Sequence, residues 1–202
     1  MLPNVHIIGA QKAATTSLFY WLGQHEDIYA PLSAKDYPVF ASDNVWVKGL
    51  DDYAKLFKNR AKQKIVLAGS VHTLKFNHAR KRLYETFPDA RIIVVLRDPT
   101  DRLLSAYNYR CKSGVESLEF REALKQEQDR AYKGSFEDAA GGAYVSHGLY
   151  YKQLKSLMEL YTSEQIKIVW FEEIENDPEL AVKEVFSFLG VDTKAKLKFD
   201  KK

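Results

Sequence analysis

The chain has 202 residues, 46% hydrophobic and 13% aromatic, which is enough apolar side chain to bury a full core in one ordinary domain. Its 30 Lys and Arg against 27 Asp and Glu leave a formal charge of +3, so bulk charge selects neither nucleic acid nor a membrane surface, and any anion site must be local. The one cysteine, Cys111, excludes an internal disulfide and a cysteine-based zinc site; with no basic leader and no run of bilayer-crossing length, a cytoplasmic, membrane-free chain is expected.

The first apolar run, Val5 to Ile8, leads into Gly9-Ala10-Gln11-Lys12-Ala13-Ala14-Thr15-Thr16-Ser17-Leu18. An amphipathic segment over Thr15 to Gln24 follows, with Leu18, Trp21 and Leu22 on one stripe. The whole reads as a P-loop-like strand, anion loop and helix. Lys12, the hydroxyls of Thr15 and Thr16 and the N–H groups of the helix start form a cradle for a phosphate-like anion. It is not a Walker A loop, in which the lysine directly follows a second glycine. Here Lys12 comes three residues after Gly9, and the hydroxyls follow it by three and four.

Continuous apolar runs recur at Ile65 to Ala68, Ile92 to Leu96 and Ile166 to Phe171, as in strands covered on both faces of a parallel sheet. Asp51 to Lys58 and Asn77 to Phe87 read as short amphipathic helices. Asp98-Pro99 opens another, with Asp98 as N-cap and Pro99 in the first turn, carrying Leu103, Leu104, Tyr107 and Cys111. The polar stretch 113–147 reads as a helix over Ser117 to Tyr132 and then a lid-like loop with Gly134, Gly141 and Gly142. Asp177-Pro178-Glu179 repeats the start signal and Gly190 supplies a stop. Residues 192–202 form a basic tail, expected as a solvated end. Strands alternating with helices predict one α/β domain over 1–202, a mostly parallel central sheet flanked by helices. Ligands then sit at the carboxyl ends of the strands, so the Lys12 loop and the Arg97-Asp98-Pro99 turn should share a rim.

Arg97 stands at a strand end and Ser105 lies about two turns into the next helix. A guanidinium fork plus a hydroxyl suits a second phosphate, separate from the first. Gly148-Leu149-Tyr150, Glu172, Asp177-Pro178 and Phe188-Leu189-Gly190-Val191 complete the pattern. From Gly9 to Val191 the chain resembles the sulfotransferases that use 3′-phosphoadenosine 5′-phosphosulfate (PAPS). The resemblance implies that the loop Gln11, Lys12, Ala13, Ala14, Thr15, Thr16 and Ser17 grips the 5′-phosphosulfate and that Arg97 and Ser105 hold the 3′-phosphate. The product would be 3′-phosphoadenosine 5′-phosphate (PAP), with no metal required. Tyr150 is a candidate to stack on adenine. The family pattern has glycine where this chain has Ala14. It also has a basic loop near the C-terminus over the 3′-phosphate, for which the tail lysines are candidates.

Lys12 is placed to stabilise charge on the leaving oxygen, and the acceptor must lose a proton to a general base. Asp36, in Lys35-Asp36-Tyr37-Pro38, resembles the Lys-Glu segment of carbohydrate-type members, where glutamate is the base. His72, in Gly69-Ser70-Val71-His72-Thr73-Leu74, resembles the Lys-Thr-His segment of cytosolic members, where histidine is the base. Both are expected near the acceptor, with His72 ahead on its ordinary pKa near 6.5. The acceptor would be a hydroxyl or amine of a carbohydrate or small molecule, with Tyr29, Tyr37, Phe40, Trp46 and Tyr144 as candidate cleft residues. The alternatives are a Mg²⁺-dependent P-loop nucleotide kinase and a non-catalytic nucleotide- or carbohydrate-binding relative. Oligomeric state is not legible.

Overall fold

The computed structural model describes residues 2–131 and 143–199. Five strands, β1 (Val5–Gly9), β2 (Ile28–Tyr29), β3 (Ile65–Gly69), β4 (Arg91–Leu96) and β5 (Ile166–Trp170), form one sheet in the order β2-β3-β1-β4-β5. All four pairings are parallel. Every residue of β1 and β3 is buried, as is β4 from Ile92 onward. That is why these segments read as unbroken apolar runs: the sheet is covered on both faces. Only β2 escapes the sequence reading, because two residues carry no periodicity.

The described helices are α1 (Thr15–Leu22), α2 (Asp43–Trp46), α3 (Asp51–Lys55), α4 (His72–Lys75), α5 (Asn77–Thr86), α6 (Pro99–Lys112), α7 (Phe120–Ala131), α8 (Tyr150–Met158), α9 (Phe171–Asn176) and α10 (Pro178–Leu189). Two start as their caps dictate. The Asp98 carboxylate accepts from the N–H groups of Thr100 and Asp101 at 2.8 and 3.0 Å, and Asp177 accepts from Leu180 at 2.9 Å. Gly190 ends α10 at φ 70°, a conformation only glycine takes without strain. Of the lid loop expected after Tyr132, residues up to 142 lie outside the described part of the chain; residues 143–147 are packed rather than lid-like, with Tyr144 and His147 buried and the N–H groups of Val145 and Ser146 donating to the Glu127 carboxylate at 2.6 and 2.8 Å.

Several aromatics expected to face an acceptor belong to the core instead. Phe40 is buried and packs edge-on to Tyr53, Phe87 and His6, and Tyr29, Tyr37 and Trp46 pack partly buried against the same core. Tyr144 is buried with Ala106 and Ala123, its hydroxyl donating to Glu116 at 2.7 Å. Each such ring removed from water contributes roughly 1.5–3 kcal/mol. The tail is also not a free end. Ala195, Leu197 and Phe199 pack against the core while Lys194, Lys196 and Lys198 stay exposed. The Gln24 side chain clamps the Lys198 main chain in both directions at 2.9 Å. Among the described residues no helix is long and apolar enough to cross a membrane.

Candidate functional site

The chain runs from β1 to β2 and β3 on one side of the sheet centre, then crosses to β4 and β5 on the other. The segments after β1 and its neighbours therefore part at this switch point and leave a crevice at the carboxyl ends. Five segments fill it: the Lys12 loop after β1, Asp36 after β2, Val71 and His72 after β3, Arg97 after β4 and Phe171 after β5. Together they line a cavity of about 610 Å³. Gly9 carries the chain into it, since a Cβ there would stand 2.7 Å from the Cβ of Leu74.

Gln11, Lys12, Ala14, Thr15, Thr16 and Ser17 line the cavity; Ala13 does not, its methyl being fully buried. Lys12, Ala14 and Asp36, at φ 66°, 58° and 61°, are the positive-φ non-glycine positions among the described residues, and all three line this cavity. Such conformations cost roughly 1–3 kcal/mol each and persist where surrounding structure enforces them, commonly at ligand sites. Ala14 caps α1 in this left-handed state, and no side chain caps its N–H groups. The helix start thus presents donors and the positive end of its dipole to the cavity.

Beside the loop, Arg97 lies under two constraints: Nη1 donates to the Lys12 carbonyl oxygen at 3.2 Å, and the guanidinium stacks 4.2 Å from the centre of the Phe171 ring. Its Nε is buried and makes no hydrogen bond. A buried donor left unpaired is costly, and an anion here would satisfy it. Ser105 lines the same wall. Beyond it a groove of about 420 Å³ continues along α6 past Asn108, Tyr109 and Lys112. The residues present therefore fit a nucleotide with phosphates at both ends.

At the other end stand Asp36 and His72. The Asp36 main chain is fixed by its N–H donating to the Gly69 carbonyl at 2.6 Å. Its carboxylate pairs with the Lys35 ammonium at 2.6 Å and accepts from the Val71 N–H at 3.4 Å. His72 opens α4, with the His147 ring edge-on to it at 6.1 Å. Burial pushes its pKa down to about 4, against the pull of the Asp36 charge, so the ring is neutral at neutral pH and able to accept a proton. The Lys12 pKa is also lowered, by burial first and by the neighbouring Arg97 charge second.

Tyr150 does not reach the cavity as expected: its hydroxyl donates to the Arg97 carbonyl at 3.1 Å and its ring packs on the core. None of the five aromatics expected at an acceptor cleft, nor Lys194, Lys196 or Lys198, lines the cavity. The aromatics that do are Trp21, Tyr109 and Phe171. Phe171 was open to inference as the residue directly after a strand, and Tyr109 as one turn beyond Ser105.

The family described as "Sulfotransferase domain" matches residues 2–200. This chain belongs to the sulfotransferase domain family. A solved sulfotransferase from Alicyclobacillus acidocaldarius superposes with a TM-score of 0.90 at 31% identity, over 100% of this chain and 86% of that one. The mouse sulfotransferase SULT7A1, solved complexed with PAP, shares the fold at a TM-score of 0.59 and 18% identity, over 93% of this chain and 59% of its own. Mouse heparan sulfate glucosamine 3-O-sulfotransferase 3B1 is 28% identical over 94% of this chain, which spans 46% of that protein. The sulfotransferase domain here thus spans about half the length of such curated relatives.

Proposed function

We propose that this domain transfers the sulfonate group of PAPS to a hydroxyl or amine of a carbohydrate or small molecule. One observation carries the reading: two cationic groups, Lys12 with the uncapped α1 start and Arg97 with Ser105, line a single cavity together with His72 and Asp36. Family membership and the PAP complex of the mouse neighbour support the choice of nucleotide. The heparan sulfate relative supports a carbohydrate among the acceptors.

In this reading Thr15, Thr16 and the α1 N–H groups hold the 5′-phosphate, while Arg97 Nε and Ser105 hold the 3′-phosphate. The bound donor supplies an activated sulfonate and a phosphate leaving group. Lys12 offsets charge growing on the bridging oxygen as that bond breaks. Neutral His72 takes the acceptor proton as its oxygen or nitrogen attacks in line. Asp36, facing the ring, stabilises the imidazolium so formed, and its ion pair with Lys35 keeps the carboxylate in place.

Titration calorimetry with PAP and with ATP, each with and without Mg²⁺, tests the reading. Metal-independent binding of PAP in preference to ATP is expected. Preference for ATP with Mg²⁺ would overturn it in favour of a phosphotransferase. Labelled-donor turnover on sugar and phenol acceptors then separates an enzyme from a binding protein.

A further inference from the structure

Tyr109 is left without a task by the chemistry above, yet its ring lies under the most important cation of the site. The Lys12 ammonium stands 4.0 Å from the centre of that ring. Tyr109 itself is 60% exposed, so packing does not explain its place. It falls four residues after Ser105, on the same face of α6, and lines both the main cavity and the groove that continues from it. Among the described residues no carboxylate pairs with Lys12. Its main chain is fixed in the left-handed region and tied to Arg97, and the ring is what holds its charged end.

We propose that Tyr109 is a positioning residue, the resting place of the Lys12 ammonium when the 5′-phosphosulfate subsite is empty. A neutral ring suits this task. An exposed cation–π contact is weak, and a charge-assisted hydrogen bond to a phosphate or sulfonate oxygen is stronger. The donor can therefore draw the ammonium away, which a neighbouring carboxylate would resist. The ring keeps the lysine charged and beside the cavity, docked on α6 rather than lost to solvent. The inference rests on the sulfotransferase reading in taking Lys12 as a ligand of the 5′ end.

The sign of one substitution tests it. Because PAP must detach Lys12 from the ring, Tyr109→Leu should tighten PAP binding by about two- to five-fold, the worth of one exposed contact. Tyr109→Phe, which keeps the ring, should leave it unchanged. In a Lys12→Met background, Tyr109→Leu should have no effect, since the coupling between the two is gone. Weaker PAP binding by Tyr109→Leu, or the same change in both backgrounds, would overturn the proposal by making the ring a wall for the nucleotide. The contact is also visible without ligand. The ε-methylene resonances of Lys12 should be shifted upfield by the ring in the wild type and in Tyr109→Phe, and not in Tyr109→Leu. An unshifted wild-type resonance overturns the proposal alone. Failure of the wild type to bind PAP overturns the functional reading, and the proposal with it.

Discussion

Arg97 donates from Nη1 to the main-chain oxygen of Lys12 at 3.2 Å, across 85 residues of chain. Arg97 and the Lys12 loop are therefore mechanically one; in the proposed function, the side chain that holds the 3′-phosphate also fixes the loop that holds the 5′ end. Arg97 is itself held from behind, its carbonyl accepting from the Tyr150 hydroxyl at 3.1 Å. Tyr150 thus meets the site at the Arg97 main chain.

This coupling distinguishes two variants. Ser105→Ala should weaken PAP by about ten-fold, the order expected for one hydrogen bond to a charged group, and leave adenosine 5′-monophosphate unaffected because that ligand lacks the 3′-phosphate. Arg97→Lys should weaken both ligands, since a lysine cannot reproduce the fork that reaches the Lys12 carbonyl. Calorimetry with the two nucleotides reads the difference directly; equal losses for both in Ser105→Ala would remove Ser105 from the 3′ subsite.

At Ala14 the chain departs from the family pattern, which has glycine there. The structure has Ala14 already at φ 58°, in the shape glycine would adopt. Ala14→Gly relieves left-handed strain of roughly 1–2 kcal/mol. It forfeits about 0.4–1 kcal/mol of unfolded-state entropy and up to about 0.8 kcal/mol of methyl burial. The change in stability by denaturant titration should therefore lie between a loss of about 0.8 and a gain of about 1.6 kcal/mol, and PAP affinity should change by less than about two-fold, or roughly 0.4 kcal/mol. A ten-fold gain in affinity would mean that the methyl obstructs the phosphate after all.

The sheet and the meeting of Lys12, Arg97 and Ser105 at one cavity were legible because they rest on local signals. Buried parallel strands give unbroken apolar runs, Asp-Pro gives a helix start, and the rule that ligands sit at strand carboxyl ends places Lys12 and Arg97 together. The remainder depends on how the elements pack. Phe40 and Tyr144 look like cleft aromatics, but nothing in an isolated aromatic says whether it will be buried. Tyr150 sits at the right place in the pattern, yet only the fold shows its hydroxyl committed to Arg97. The tail lysines alternate with Ala195, Leu197 and Phe199, the period-two pattern of a segment that docks one face on the core.

Three histidines, His6, His72 and His147, are held neutral by burial, His6 at a pKa of about 3, His72 at about 4 and His147 well below its ordinary value. The stability gained by keeping these rings neutral is fully present above the unfolded pKa near 6.5. It is lost as the pH falls toward the folded values, because the unfolded chain then binds more protons. Each ring contributes a slope of at most about 1.4 kcal/mol per pH unit, so denaturant titrations should show stability falling steeply between pH 6 and pH 4. His6→Leu, distant from the cavity lining, should flatten that slope by about a third, the share of one ring in three.

The proposed role of His72 as base makes a prediction that separates it from Asp36. Asp36 has both carboxylate oxygens engaged, one by Lys35 at 2.6 Å and one by the Val71 N–H at 3.4 Å, whereas neutral His72 lines the cavity ready to be protonated. His72→Ala should lower kcat by about 10²–10⁴, and Asp36→Asn by less. The profile of kcat/KM against pH, which reports groups of the free enzyme, should stay level from neutral pH to about 5 and fall near the His72 pKa of about 4. In Asp36→Asn this acid limb should move lower still, because the carboxylate that raises the His72 pKa is gone. If Asp36 were the base, its amide variant would lose the limb together with the activity, while His72→Ala would keep both.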